Sequence, residues 1–474
     1  MLSPPFPRYC FLPIALLLLV SFYALHNHLY LTAPMRAQAP INNHVHSSHV
    51  HEYWPYYFRL LAEASPRCAL PHKAIEAAIN DFANISPGFA YRPNLIDMVA
   101  EDVDELREAH TWFVSQIKDP SRPRPPFKPS TSGIVTAAGG EFLPELVVCL
   151  RMLRRTGSAL PVDVYLESSA EYEAYVCETL LPTLNARCLL LTDMLDDAFP
   201  RRQNITRYQL KAFALLHSSF DNVLWLDADE IPLLAPERYF EAEPFLSRGL
   251  VTWPDYWANT ASPLFYKIAL IEIPAVAERA STEFGQLLLS KSRHLTTLQL
   301  MAYYNYYGPS HYYRLLSQGA VGEGDKETFL AATQSLSAPF YSVAEKIETI
   351  GWHDKKGEFH GTGMVQHDPH DDYRARVLGE SLASPGPGRA FLHSSRHKLN
   401  AGRLPETWKK EINQRMWGPP EGMVEKFGVD LEKRAWDEVM YTACDIPYVF
   451  QDWKGRGDVC KDVKRVYESL FQAG

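Results

Sequence analysis

The chain has no C-x-x-C pair, no excess of positive charge and no internal repeat, and each absence removes a class of function. Without C-x-x-C there is no cysteine pair at zinc-site or redox spacing. A formal net charge of −9 argues against a nucleic-acid surface. No repeat means no solenoid or propeller. What remains is 474 residues, 46% hydrophobic and 12% aromatic, enough to bury one large catalytic core with additions around it.

One apolar run stands out at the amino terminus. Tyr9 to Leu25 is interrupted only by Pro13 and Ser21, follows Arg8 and precedes the polar His26-Asn-His28. Its length is at the lower limit for crossing a bilayer. Ala37-Gln-Ala39 resembles a signal-peptidase site, but Pro40 follows it directly and it lies far from Leu25, so an uncleaved anchor is expected. Arg8 would keep residues 1–8 cytosolic, with a transmembrane signal anchor over 9–31. Residues 32–52, polar and containing four histidines, read as a luminal stalk. A flexible tract imposes no ligand geometry, so those histidines are not taken as a metal site. Residues 53–130 read as a helical region, with an amphipathic helix between Asn94 and Lys118, followed by a linker holding five prolines between Asp119 and Ser130.

The chemistry gathers in Tyr208 to Pro232. Leu210, Phe213, Ala214 and Leu216 recur at helical spacing, and Val223-Leu-Trp-Leu226 is an apolar run of strand length. Asp227 and Asp229 fall where that strand ends, the place at which open α/β sheets bind ligands. Two carboxylates two residues apart are hard oxygen donors for Mg²⁺ or Mn²⁺, which nucleotide enzymes share with substrate phosphates. The other reading is a solvated turn. Lys211 lies sixteen residues before Asp227 at the start of the helix, from which an ammonium could reach the same phosphates. Upstream, Gly133 to Gly140 reads as a strand running into glycines, with Gly139 a candidate for close backbone approach to a donor. Helix 146–153 and strands 161–166 and 187–191 complete a βαβ order that implies a parallel core.

The helix–strand–Asp-x-Asp spacing resembles that of nucleotide-sugar glycosyltransferases such as glycogenin. Together with Trp253-Pro-Asp-Tyr-Trp257, Phe284-Gly-Gln-Leu-Leu288, Tyr303-Tyr-Asn-Tyr-Tyr-Gly308, Leu316 to Phe329 and Val365-Gln-His-Asp-Pro369, it is similar to the fungal Golgi α-mannosyltransferases of glycosyltransferase family 71, over about Ser132 to Asn400. Glu230, where Asn or a similar residue is expected, departs from that pattern.

The resemblance implies an α/β fold of GT-A type, a nucleotide-sugar-binding Rossmann-like domain with a mixed central sheet over residues 131–400, and leaves 401–474 as a carboxy-terminal extension without legible chemistry. It implies a retaining transfer of mannose from GDP-mannose to a mannose hydroxyl of a protein-linked glycan, through an α-1,2 or α-1,3 linkage, with Mn²⁺ or another divalent cation. It also implies a single-pass type II Golgi membrane protein, in reach of a Golgi mannosyltransferase complex. The metal would be held by Asp227, Asp229 and His393, with His367 as the alternative histidine. The donor would meet Lys211, Asp227, Lys398 and Gly139. The acceptor would meet Trp253, Asp255 and Glu323, and Asp325 and Gln286 would stand beside the reacting carbon.

Two other classes compete. A haloacid-dehalogenase-like phosphohydrolase also places Asp-x-Asp after a strand but would carry Thr or Val where Ile231 stands. A glycan-binding protein of the same fold could have lost catalysis. Outside the anchor the six cysteines are even in number and allow up to three disulfides, with Cys177/Cys188 and Cys444/Cys460 the pairs nearest in sequence. The sequons at Asn84 and Asn204 suit a secretory lumen.

Overall fold

Seven strands form the sheet that positions everything else. The computed structural model describes residues 47–471 apart from 79, 192–194, 196–203, 321 and 383–385; the expected cytosolic tail, the anchor and most of the stalk lie outside the described residues. In chain order the sheet strands are β1 (Lys128–Ala137), β2 (Val162–Leu166), β3 (Ala186–Leu190), β4 (Phe220–Leu226), β6 (Leu250–Ala258), β7 (Ala280–Ser290) and β8 (Tyr341–Ser342), while β5 (Glu230–Pro232) belongs to a second sheet. The order across the main sheet is β8-β6-β7-β4-β1-β2-β3. β4, β1, β2 and β3 run parallel, joined through α3 (Leu143–Arg155) and α4 (Gln209–His217). β7 then pairs antiparallel with β4, so the sheet is mixed.

Alternation along the strands explains why the centre is buried on both faces. Ile134, Val162, Val164, Leu224 and Leu226 point into one core, with Leu146, Leu150 and Leu153 of α3. Val135, Tyr165, Val223 and Trp225 point into the other, with Phe213 and Leu216 of α4 and Leu298 of α5 (Lys291–Tyr306). Opposite side-chain directions at successive residues make this split automatic. α3 carries Pro144 and Glu145 in its first turn and Arg154 and Arg155 in its last, as the helix dipole favours.

The second sheet has the order β9-β10-β11-β5, with β9 at Glu348–His353, β10 at Phe359–His367 and β11 at Arg389–His393. β5 begins one residue after Asp229, and its register sets Glu230 opposite His393.

Both flanking regions differ from the expectation of separate additions. α1 (Ser47–Glu63) begins inside the expected stalk, and Tyr53, Trp54, Tyr57 and Phe58 are buried in the core shared with α4 and α5. Phe58 stacks on Phe213 at 6.1 Å between centroids, and Tyr57 Oη donates to the Gln299 carbonyl at 2.6 Å. The amphipathic helix is α2 (Ala100–Lys118); residues before it form a short ribbon in which Ile96–Asp97 pairs with His72–Lys73. The proline stretch ends early, because Lys128 already belongs to β1.

The carboxy-terminal 401–471 segment is part of the first core rather than an appendage. Trp436, Val439 and Val463 pack into it from α7 (Leu431–Cys444) and α8 (Val459–Phe471), where α6 is Thr328–Ser335. Glu438 of α7 is gripped by Arg151 and Arg155 of α3. Cys177 is bonded to Cys188, and Cys444 to Cys460, which ties α7 to α8; Cys68 and Cys149 are free. Closing loops with sequence separations of 11 and 16 residues stabilises by about 3 kcal/mol each in the chain-entropy picture. Among the described residues no helix is long and apolar enough to cross a membrane.

Candidate active site at the carboxyl end of the central strand

Asp227 is the first residue beyond β4. Its amide donates to the Gly285 carbonyl at 2.8 Å, extending the β4–β7 ladder by one step and holding the carboxylate at the sheet edge. Trp225 Nε1 donates to Asp227 Oδ1 at 2.7 Å. Lys211, in the first turn of α4, lies 3.0 Å from the same oxygen and 3.4 Å from Asp325 Oδ2, and donates to the Phe284 carbonyl at 2.6 Å. Burial works against its ammonium, but Asp227 and Asp325 outweigh it and hold the pKa above the ordinary lysine value.

Asp229 faces the other sheet. His393 Nε2 stands 3.1 Å from Asp229 Oδ2, and Lys398 pairs with that oxygen as well. Burial opposes the charge on Asp229, yet His393 and Lys398 together keep its pKa well below the usual carboxylate range. His393 is the mirror case: burial disfavours the imidazolium, and Asp229, Glu283 and Glu230 push its pKa up to about 10. The antiparallel register brings this histidine in, across more than 160 residues of chain.

Glu230, the residue that departs from the family pattern, is enclosed between the sheets. Gly285 makes room for it, since a Cβ there would stand 2.7 Å from Glu230 Oε2. Burial drives its pKa well above the ordinary value. Glu145, in the first turn of α3, accepts from the Leu399 amide at 3.0 Å and is pushed up to about 8 by burial and by Asp229. Glu283 accepts from the Gly285 amide at 2.9 Å and lies 3.6 Å from His393 Nδ1. Six carboxyl groups, Asp227, Asp229, Glu230, Glu283, Asp325 and Glu145, thus crowd around three cationic side chains, Lys211, Lys398 and His393.

That imbalance tests whether a divalent cation fits. Burial raises Asp227 despite Lys211 beside it, as expected of a site with too little positive charge. His393 Nδ1 is buried without a hydrogen-bond partner. Carboxylates and an imidazole are the donor types that hold Mn²⁺ or Mg²⁺, and an added cation would relieve the excess of acid.

The remaining expected site residues divide. Asp325 is buried beside Lys211, and burial with the nearby Asp227 pushes it up to about 6. Asp255 is tied to Lys326 at 2.5 Å and is pushed up to about 6 by burial and Glu283. Glu323 accepts from Ser317 at 3.0 Å and faces Lys73 at 3.7 Å. Gln286 is fully buried, and with its amide turned so that the nitrogen faces Glu230 it donates to both carboxylate oxygens at 3.2 and 3.3 Å, so that acid engages the amide expected beside the reacting carbon. Trp253 is a core residue and not an acceptor platform: it has no exposed surface, meets Phe391 edge to face at 5.4 Å and donates to the His367 carbonyl at 2.8 Å. The ladder between β6 and β7 is irregular between Pro254 and Ala258, and beyond that break Trp257 is partly exposed.

Gly139 gives its close approach to Glu171, whose carboxylate fills the space a Cβ would need. His367 sits at the far end of the β10–β11 pairing, with Nδ1 3.2 Å from the Pro387 carbonyl, and contacts neither aspartate. The Gln366-His-Asp-Pro369 block is structural: Gln366 donates to the Pro254 carbonyl and Asp368 caps the helix Pro369–Arg376. Sequence reasoning missed Glu145 and Glu283. Neither belongs to a local motif, and only the fold brings them to His393 and Lys398.

Comparison with known proteins bears on the same region. The family model described as "Mannosyltransferase putative" matches residues 131–280 and 276–368. Alpha-1,2-mannosyltransferase MNN21 of Candida albicans is 33% identical over 493 residues, covering 87% of this chain and 74% of that protein. Alpha-1,2-mannosyltransferase MNN2 of Saccharomyces cerevisiae is 36% identical over 312 residues, covering 59% of this chain and 52% of that protein. The chain thus spans about half the length of the yeast relative. Among solved structures, the glycosyltransferase GlyE of Streptococcus pneumoniae is 13% identical, with 45% of each chain covered and a TM-score of 0.30.

Proposed function

The chain belongs to the fungal alpha-mannosyltransferase family, and from that premise we propose that it transfers mannose from GDP-mannose to a mannose hydroxyl of a protein-linked glycan, forming an α-1,2 linkage with retention. The observation that carries this reading is the pair of acids at the end of β4, Asp229 held by both His393 and Lys398 and Asp227, two residues before it, held by Lys211. The α-1,2 linkage is taken from the names of the relatives.

Asp227, Asp229 and His393 would hold the divalent cation, which when bound neutralises charge on the leaving diphosphate. Lys398, paired with Asp229, would be placed to donate to diphosphate oxygens. Lys211, anchored on the Phe284 carbonyl, keeps Asp227 and Asp325 at fixed separation. Asp325 orients the acceptor hydroxyl. As the bond from C1 to the phosphate oxygen breaks, the acceptor oxygen bonds to C1 and its proton leaves with GDP. Gln286 acts one step back, by holding Glu230 in place.

A lumenal, membrane-anchored setting is part of the proposal. Two disulfides fit an oxidising compartment, and both sequon asparagines are exposed. Golgi residence and partnership with other mannosyltransferases belong to the same reading, and carbonate extraction of the full chain against a form lacking residues 1–31 tests the anchor.

The deciding experiment measures GDP release from GDP-mannose by the purified protein with Mn²⁺, with and without an α-mannoside. Release stimulated by the acceptor supports the proposal. Glycan binding without turnover would leave a lectin-like protein, and phosphate release from a phosphomonoester would point to the phosphohydrolase alternative.

A further inference from the structure

A cleft open to solvent lies beside Asp325, and the reaction as proposed does not use it. Its walls include Trp257, Thr260, Ser281, Gly322, Gly324 and Lys326. Gly324 and Lys326 flank Asp325, whose carboxylate is 3.4 Å from Lys211, which in turn is 3.0 Å from Asp227. The cleft therefore begins one residue from the acid assigned to the acceptor hydroxyl.

Three features give it the chemistry of a sugar site. Ser281 is 3% exposed and its hydroxyl has no hydrogen-bond partner, a cost of ~1–3 kcal/mol for a buried hydroxyl left unmatched. Trp257 offers a partly exposed indole, and an aromatic face packs on the apolar face of a pyranose. Lys326 is fixed by Asp255 at 2.5 Å, so its remaining donors are pre-oriented. Asn80, from the ribbon region before α2, closes one side; its carbonyl accepts from the Ala258 amide at 2.8 Å, and Asp81 bridges Trp257. The segment that looked like a helical preface to the catalytic domain thus supplies a wall.

We infer that this cleft is a second acceptor subsite, holding the mannose unit adjacent to the one that is glycosylated. The inference rests on the reading of the protein as a mannosyltransferase and goes beyond it: acceptors of two or more mannose units are bound better than a single mannoside. Ser281 supplies a hydrogen bond to a ring hydroxyl, and Trp257 supplies the stacking face.

Calorimetric binding of an α-mannobiose and of methyl α-mannoside to the full chain tests this without turnover. The wild-type protein should prefer the mannobiose by about tenfold or more, one good hydrogen bond or stacking contact. Trp257→Ala and Ser281→Ala should each bring that ratio toward one, while Trp257→Phe, which keeps an aromatic face, retains most of it. Equal binding of the two sugars by the wild type, or a ratio unmoved in both alanine variants, overturns the inference. A preserved mannobiose preference in a protein that never releases GDP from GDP-mannose would instead sink the catalytic reading and leave the subsite standing.

Discussion

Two places in the molecule combine aspartate, glutamate and histidine, and they differ in almost everything but composition. At the end of β4, Asp227, Asp229, Glu230 and His393 are brought together by the fold, with Glu230 fully buried, Asp229 and His393 half-buried and the Asp227 side chain 32% exposed at the rim. In the β9–β10 hairpin, Asp354, Glu358 and His360 come from one local turn, and their donor atoms lie within 4.8 Å of one another. The hairpin is geometrically the tighter cluster, but its carboxylate is already used. Asp354 accepts from the amides of Lys356 and Glu358 at 2.8 and 2.9 Å, and these turn bonds hold its pKa below the usual value. Solvent screens the remaining charge. Proximity of ligand atoms is thus a poor guide to function, whereas buried acid in excess of buried cation marks a place that needs a further positive partner.

The sharpest way to break the comparison is to delete one carboxylate from each cluster. Asp229→Ala should lower kcat by ~10³-fold or more, the several kcal/mol expected when a cation bridging to the leaving group is lost. Asp354→Ala should leave kcat within about twofold and the melting temperature nearly unchanged, as for surface substitutions generally. If both variants, or neither, lose activity in a GDP-release assay, the distinction drawn here is wrong.

A second test separates acceptor from donor within the buried cluster. Asp325→Asn should reduce transfer to a mannoside by roughly 10–100-fold, more than it slows hydrolysis of GDP-mannose by water, with little change in GDP affinity. Parallel loss of both reactions together with weaker GDP binding would assign Asp325 to the donor side, through its contact with Lys211.

The carboxy-terminal region offers a third kind of acid, buried but structural. Glu432 accepts from the amides of Met416 and Trp417 at 2.6 and 3.0 Å, and burial pushes it up to about 7 from an ordinary 4.5. The folded form binds the proton more tightly than the unfolded chain, so stability falls as pH rises from about 4.5 to about 7. Denaturant titrations should show at most ~3 kcal/mol of this slope, and Glu432→Gln should flatten it without touching the metal dependence of turnover. An unchanged slope would show that Glu432 is ionised throughout.

Much of this organisation could be read from the sequence wherever it is local. The helix–strand–Asp-x-Asp unit, the βαβ order and the two sequence-near disulfides depend on spacing alone, and they stand where spacing puts them. Long-range pairing could not be read. Trp253 looked like a sugar platform because nothing in its heptapeptide neighbourhood says that Phe391 covers it. Glu230 looked like a flaw in a motif until the β5–β11 register set it against His393 and Gly285 made room for it. The first residues of α1 read as stalk and the rest as a helical region ahead of the catalytic domain, because its aromatic face has no partner in its own sequence; that partner is α4, some 150 residues away.

The most direct measurement is Mn²⁺ binding followed by electron paramagnetic resonance in the wild-type protein, in Asp229→Ala and in the Asp354→Ala hairpin variant. The account predicts a tight site in the wild type that persists in the hairpin variant and is weakened at least tenfold in Asp229→Ala. A site lost with Asp354 and kept without Asp229 would contradict it.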